Sequence, residues 1–150
     1  MKPRINLGKA APDHYKAVLA LEQLASDGAA KAGIEKGFAH LLRLRASQVN
    51  QCAFCVRMHT RDALASGESS DRIAVLAAWR ESGYFSPKER AALALMESIT
   101  LVADGQVPDA VHEEAAASLS DAEIVAVEWL AIVINAWNRI AIASRYPVDP

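Results

Sequence analysis

Apolar residues recur at intervals of three and four positions along most of the chain, the spacing that gathers side chains on one face of a helix. No run alternates regularly between apolar and polar residues, as a half-buried strand does. The sequence therefore predicts an all-helical (all-α) bundle of about six or seven helices with no sheet. In the second of these helices, Arg43 and Arg45 are expected to point outward on flexible stems. The predicted helices cover residues 13–25, 34–49, 52–65 and 70–79, a segment that begins at 86, and then 108–117 and 120–144.

Two of the predicted helix starts carry complete capping signals. Residues 86–89 read Ser-Pro-Lys-Glu, which supplies an N-cap hydroxyl, a proline at the first helical position and a carboxylate at the third. Residues 120–123 repeat the hydroxyl and the carboxylate. Gly28 predicts the end of the first helix. The polar stretch 47–51 predicts a turn or helix break immediately before Cys52.

The last predicted helix has apolar side chains around most of its circumference. Its most apolar stretch, residues 124–134, contains Glu128 and is shorter than the roughly 20 residues that span a bilayer. We therefore expect a buried helix and no membrane association. Because one face of a domain is too small to bury so many apolar groups, we also expect a subunit interface and hence a homo-oligomer.

Length and composition are those of an ordinary soluble domain. No repeat or linker divides the 150 residues, which predicts a single domain over residues 1–150. The 16 Lys and Arg residues against 18 Asp and Glu give a net charge of -2, so there is no excess of cations for nucleic acid or an anionic membrane. The first twenty residues are interrupted by Pro, Asp, His and Lys, unlike a secretory signal, so a cytoplasmic location is expected.

One local pattern has a specific chemical meaning: Cys52, Cys55 and His59, spaced by three and four residues. Such spacing aligns side chains on one face of a helix. A helix N-terminus and a nearby imidazole both stabilise a thiolate, the reactive form of cysteine. A thiolate that attacks a peroxide becomes a sulfenic acid, and a second thiol one turn away condenses with it to a disulfide. His59, with an ordinary pKa of about 6.5, is suited to acid–base work in that chemistry.

Two other interpretations of the same residues stay open. Cys52 and Cys55 could be inert buried thiols, since free cysteine behaves as a small apolar residue in cores. The two cysteines with His59 also match the ligands that zinc prefers, and His40 could supply a fourth. Structural zinc sites usually draw a second ligand pair from a distant segment, so we expect no metal and no cofactor. A loop closed over two residues constrains the unfolded chain little, which favours a reversible redox disulfide over a structural one.

Residues 41–55, LLRLRASQVNQCAFC, and their continuation VRMHT closely resemble the AhpD-like alkylhydroperoxidase core of the carboxymuconolactone decarboxylase superfamily. Weaker similarity runs through residues 77–80, 85–92 and 135–139, so the resemblance covers most of the chain. It implies an all-helical fold that assembles as trimers or hexamers. It also implies a peroxidase activity that depends on thiols.

The resemblance further assigns roles to individual residues. Cys55 is implied as the peroxidatic cysteine, Cys52 as its resolving partner and His59 as the histidine of the motif. The family commonly carries Glu twelve positions before the first cysteine, as part of a proton relay, whereas this chain has His40 there. Better-studied members have His inside the cysteine pair, where this chain has Phe54. We expect His40 to manage protons together with His59.

The sequence thus predicts an antioxidant enzyme, a thiol-dependent peroxidase that acts on a small hydroperoxide and is regenerated by an external dithiol reductant protein. Lactone decarboxylation, found in the same superfamily, is an alternative that does not require a redox cysteine pair. A non-enzymatic redox-sensing role, in which the disulfide alters association with a partner, is a further alternative.

Overall fold

The computed structural model describes residues 2–150, and within them the chain forms eight α-helices, one 3₁₀ helix and no strand. The all-helical class is confirmed, with eight α-helices in place of the predicted six or seven. The additional one is α1, whose four residues are too few to show a periodicity and which is capped by the side chain of Asn6. The helices are α1 (Leu7–Ala10), α2 (Pro12–Lys31), α3 (Lys36–Val49), α4 (Ala53–Ala65), α5 (Ser70–Val75), the 3₁₀ helix (Leu76–Glu81), α6 (Pro87–Thr100), α7 (Asp109–Ser118) and α8 (Asp121–Ser144).

Both predicted capping boxes are present. The hydroxyl of Ser86 accepts a hydrogen bond from the N–H of Glu89, and the Glu89 carboxylate accepts one from the N–H of Ser86. Ser120 and Glu123 form the same reciprocal pair at the start of α8. Lys88 also donates to Glu123 at 2.7 Å, so the starts of α6 and α8 are fastened to each other. The capping hydrogen bonds satisfy backbone N–H groups at the helix starts that have no partner within the helix.

Two segments differ from their predicted extent. Helix α2 continues through Gly28 to Lys31, and the positive φ of 84° that follows the helix falls on Gly33 instead. The helix predicted over residues 70–79 is α-helical only to Val75, after which the chain continues as the 3₁₀ helix.

Helix α3 lies at the centre of the bundle, where it packs against α4, α6 and α8. Its leucines are inaccessible to solvent, and so are the large apolar residues that face them from α6 and α8. Burial of each such side chain contributes about 1.5–3 kcal/mol relative to leaving it exposed. The fully buried apolar residues include Leu41, Leu42, Leu44, Leu93, Leu95, Val127, Leu130, Val133 and Ile134.

Helix α8 is longer than its apolar stretch suggests. The expectation that this segment is too short to span a membrane is wrong, because α8 has 24 residues and is long and apolar enough to cross one, judged by length and composition alone. Half of its most apolar 18-residue window is buried inside the protein. The helix packs against α2, α3 and α6, as the core helix of a globular fold does.

Part of α8 nevertheless presents apolar side chains to solvent. Val125, Trp129 and Ile132 are each about half exposed, on the side of the helix that faces away from the core. Leu24 of α2 is 68% exposed, and it lines a shallow groove together with Val125 and Trp129. We call these four residues the apolar stripe.

Candidate functional site

The cysteine pair lies at the break between α3 and α4, where the sequence predicts it. Helix α3 ends at Val49, and Gln51 adopts a left-handed conformation with φ of 56°. Cys52 is the N-cap of α4, and its sulfur accepts a hydrogen bond from the N–H of Cys55 at 3.3 Å. The two sulfurs are joined in a disulfide. The pair is therefore capable of redox chemistry, and this structure represents its oxidised form.

A polar network behind the break ties it to α8. The side-chain amide of Asn50 donates to Asn138 at 2.8 Å and to Asn135 at 2.9 Å. Asn138, which is fully buried, donates in turn to the hydroxyl of Ser47 at 3.0 Å. Buried amides that are satisfied in this way fix one arrangement of the backbone around them. The position of Cys52 is therefore fixed by contacts with α8.

The two cysteines differ in what they face. Each is only 2% exposed, and both pack against Ala141, Phe54 and Tyr146. The rings of Phe54 and Tyr146 meet edge to face with centroids 5.2 Å apart. Of the two cysteines, Cys55 lines a cavity of about 640 Å³ and Cys52 does not. The disulfide is thus shielded from large molecules, while Cys55 borders a cavity that is partly open to solvent.

The cavity is formed by α2, α3, α4 and α8 together with Tyr146. Most of its wall is apolar, and its polar groups come mainly from neighbouring turns of α2, α3 and α4. Its volume is in the range typical of sites for drug-sized organic ligands, about 300–1,000 Å³. The ionisable or reactive residues that α3 and α4 contribute to its lining include His40, Arg43, Cys55, His59 and Asp62.

His40 and His59, which the sequence predicts to be site residues, both line this cavity. Nδ1 of His40, on α3, lies 3.4 Å from Nδ1 of His59, on α4. His59 is 6% exposed, whereas His40 is partly exposed. Cys55 and His59 are one helical turn apart and line the same cavity. The structure therefore brings His40, Cys55 and His59 together around one space.

Both imidazoles are neutral at neutral pH. Burial lowers the pKa of His59 to about 3, and the positive charge of Arg43 and the proximity of His40 act in the same direction. Burial also lowers the pKa of His40, with a further contribution from Arg43 that Asp62 partly opposes. The ordinary pKa that the sequence suggests for His59 is therefore not the one its surroundings produce.

The prediction that Arg43 and Arg45 point outward is wrong. Arg43 is only 4% exposed, and its guanidinium donates to the carboxylate of Glu22 and, at 2.7 Å, to the hydroxyl of Ser26. The side chain of Arg45 is largely buried and donates to Glu97 at 2.6 Å. A guanidinium tolerates burial when its charge is paired, and the pair with Glu22 does this for Arg43, although its buried Nε has no hydrogen-bond partner among the described residues. Burial lowers the pKa of Arg43, and Glu22 acts against that shift.

Asp62 is the residue of this cluster that the sequence analysis missed. Its Oδ2 lies 3.8 Å from Nδ1 of His59. The spacing of three residues on one helix was the signal that could have found it. His40, His59 and Asp62 each direct one ligand atom to a common region, with all three atoms within 4.8 Å of one another. The zinc set considered from the sequence also included both cysteines, but these are bonded to each other here.

Comparisons with known proteins agree with this fold. A model of the carboxymuconolactone decarboxylase family matches residues 12–98, which include both cysteines and both cavity histidines. The uncharacterised protein YdfG of Bacillus subtilis is 36% identical over 143 residues, which are 95% of either chain. Among solved structures, a protein of unknown function from Agrobacterium tumefaciens, proposed to be the antioxidant defence protein AhpD, is 41% identical. It superposes with a TM-score of 0.88 over 99% of this chain and 100% of its own.

Fold and site define an all-helical protein with a disulfide-forming Cys-x-x-Cys pair at a helix start. The chain belongs to the carboxymuconolactone decarboxylase family, in its AhpD-like group.

Proposed function

We propose that the protein is a thiol-dependent peroxidase that reduces organic hydroperoxides. The observation that carries the proposal is the position of Cys55, which is bonded to Cys52 at the start of α4 and borders the cavity beside His59. A helix N-terminus favours a thiolate at this position. The cavity provides a largely apolar space for the organic part of a substrate, and its size argues for more than hydrogen peroxide alone.

The reaction has three balanced steps. The thiolate of Cys55 attacks the outer oxygen of the hydroperoxide, a sulfur–oxygen bond forms, and the oxygen–oxygen bond breaks. The alkoxide leaves with the electron pair and takes up a proton, so the products are an alcohol and the sulfenic acid of Cys55. The thiolate of Cys52 then displaces hydroxide from that sulfur, which gives the disulfide and, after protonation, water. An external dithiol finally reduces the disulfide by exchange and is itself oxidised.

The histidines are proposed to carry the protons of these steps. A neutral His59 has a free lone pair that accepts the thiol proton, and the thiolate so formed beside it raises the imidazole pKa again. The protonated ring then donates to the departing alkoxide. His40 lies within reach of His59 and at the partly exposed edge of the cluster, where it exchanges protons with water in the cavity.

The proposed partners are a small hydroperoxide, a protein dithiol reductant and further copies of this chain, with the cytoplasm as the location. Self-association through the apolar stripe is supported by the exposure of Trp129 and Leu24 next to each other on neighbouring helices. The trimer or hexamer implied by the resemblance belongs to this proposal. Light scattering of the purified chain tests it, with Trp129→Glu expected to yield a monomer.

The test of function is consumption of cumene hydroperoxide by the reduced protein with dithiothreitol. Cys55→Ser is expected to abolish turnover and the formation of a sulfenic acid. Cys52→Ser is expected to form a sulfenic acid that dimedone traps, with slow or no turnover. Ala53→Ser, an exposed change inside the same motif, serves as the control and should keep wild-type activity.

Undiminished turnover in Cys55→Ser would refute the proposal. Activity on a carboxymuconolactone that survives the double serine variant would favour lactone chemistry instead. A disulfide that alters association with no catalytic consumption of peroxide would favour the redox-sensing role.

A further inference from the structure

His40, His59 and Asp62 have the geometry of part of a metal site. Two nitrogens bound to one tetrahedral zinc ion, each at about 2.0–2.1 Å, lie about 3.3–3.4 Å apart. The Nδ1 atoms of the two histidines are 3.4 Å apart, which is the length of one edge of such a site. Oδ2 of Asp62 is 3.8 Å from Nδ1 of His59, and its side chain is 45% exposed. All three ligand atoms lie within 4.8 Å of one another, so this exposed carboxylate has to move toward the two nitrogens to complete the site.

The scaffold under these ligands is rigid. His59 and Asp62 are three residues apart on α4, and His40 faces them from α3, the helix at the centre of the bundle. Metal sites in helical bundles are built in this way, with pairs at a spacing of three residues on one helix and further ligands on a facing helix. Two imidazoles and one carboxylate suit borderline ions such as Zn²⁺ better than Mg²⁺ or Ca²⁺.

The charges around the cluster accept a cation. Lys36 and Arg43 line the cavity, but Glu22, Asp27 and Asp62 line it too, so carboxylates outnumber the cationic groups. The charge of Arg43 acts on both histidines and opposes cation binding, whereas the carboxylate of Asp62, itself a proposed ligand, favours it. Imidazole binds metal in its neutral form, which is the form that burial imposes on both histidines at neutral pH.

We propose that His40, His59 and Asp62 bind one Zn²⁺ ion per chain, with the remaining coordination position directed into the cavity. This site differs from the cysteine-based set considered from the sequence, because the disulfide leaves neither Cys52 nor Cys55 as a thiolate. A bound ion occupies the nitrogens that the proposed peroxidase uses for proton transfer, so it should inhibit turnover. That inhibition rests on the proposed function, whereas the binding itself does not.

The experiment uses the full chain without a histidine tag, oxidised and freed of metal with a chelator. Isothermal titration with Zn²⁺ is expected to give one ion per chain, and Co²⁺ is expected to give the visible absorption of a tetrahedral site. His40→Ala and Asp62→Asn should each weaken Zn²⁺ binding by at least about tenfold. Both side chains are partly exposed, so these variants are expected to fold. The control is His112→Ala, an exposed histidine on α7, which should leave the affinity unchanged.

A second variant separates this inference from the proposed function. The Cys52→Ser/Cys55→Ser protein has no redox pair, and it should still bind one Zn²⁺ ion with the wild-type affinity. Loss of Zn²⁺ binding in that variant would overturn the proposal, because the site would then depend on the cysteine pair. Absence of binding to the wild type, or equal affinity in the wild type and His40→Ala, would overturn it as well.

Discussion

The guanidinium of Arg43 donates a hydrogen bond to the carboxylate of Glu22 at the wall of the cavity that holds both histidines. Glu22 also accepts a hydrogen bond from the indole N–H of Trp137 at 3.2 Å. Because these residues lie on α2, α3 and α8, one carboxylate joins three helices around the site. The pair therefore affects both the stability of the fold and the electrostatics of the histidines.

Removing the negative charge of Glu22 should destabilise the protein. Glu22→Gln leaves the buried charge of Arg43 without its counter-ion, and breaking a buried pair costs about 3–5 kcal/mol. Because the side chain of Glu22 is 26% exposed, we expect a smaller loss, about 2–3 kcal/mol in the free energy of unfolding. Urea denaturation followed by circular dichroism measures it. Glu114→Gln, at an exposed position on α7, should change the value by no more than about 0.5 kcal/mol.

Removing the positive charge of Arg43 should raise the pKa of His59. Arg43 contributes to the depression of that pKa, whereas Glu22 does not. The double variant Glu22→Gln/Arg43→Met removes the pair without leaving either charge buried alone. We expect the pKa of His59 to rise from about 3 but to stay below its ordinary value, because burial, the larger cause of the shift, remains; titration of the imidazole resonances in NMR measures it. Arg45→Met, a change to the neighbouring arginine, should leave it unaltered, and an equal rise there would contradict the assignment to Arg43.

Acid should destabilise the fold through His59. Its pKa in the folded chain is about 3, below the ordinary 6.5, so between these values the unfolded chain binds a proton that the folded chain does not. The free energy of unfolding should therefore fall as the pH drops from about 6.5 and level off near 3, by an amount on the order of a few kcal/mol. Denaturation curves between pH 7 and pH 4 measure this dependence. We expect the free energy of unfolding to depend less on pH in His59→Gln than in the wild type or His112→Gln. The same pH dependence in all three proteins would argue against a role for His59.

Features that depend on neighbouring residues could be predicted from the sequence, and those that depend on distant contacts could not. The capping boxes and the break before Cys52 involve groups within four residues of each other. The burial of Arg43 depends on Glu22, which is 21 positions away on another helix. The sequence connects His40 with the cysteines only through the family resemblance and as a candidate fourth zinc ligand. Asp62 could have been found, because its spacing from His59 places both on one face of a helix.

The C-terminal segment should control access of a protein reductant to the disulfide. Tyr146 packs over the cysteine pair, and Arg57 holds the segment by donating to the backbone carbonyl of Asp149 at 2.7 Å. We expect a small dithiol to reach the disulfide from the cavity that Cys55 lines, whereas a protein needs this segment displaced. We expect Arg57→Ala to accelerate reduction by thioredoxin severalfold and reduction by dithiothreitol much less.

Quenched alkylation followed by mass spectrometry measures both reduction rates. Arg61→Ala, at an exposed position on the same helix, is the matched control. An unchanged ratio of the two rates in Arg57→Ala would show that the segment does not limit access.

The cavity joins parts of the chain that are far apart in sequence. Tyr15 and Trp137, whose ring centroids are 5.1 Å apart, both line it, as do residues of α3 and α4. Contacts of such long sequence separation carry a large loop-closure cost, so they form late when the chain folds. The cysteine pair is therefore expected to gain its complete surroundings only after α2, α3, α4 and α8 have associated, so a newly made chain should pass through a stage in which its thiols are open to chance oxidation.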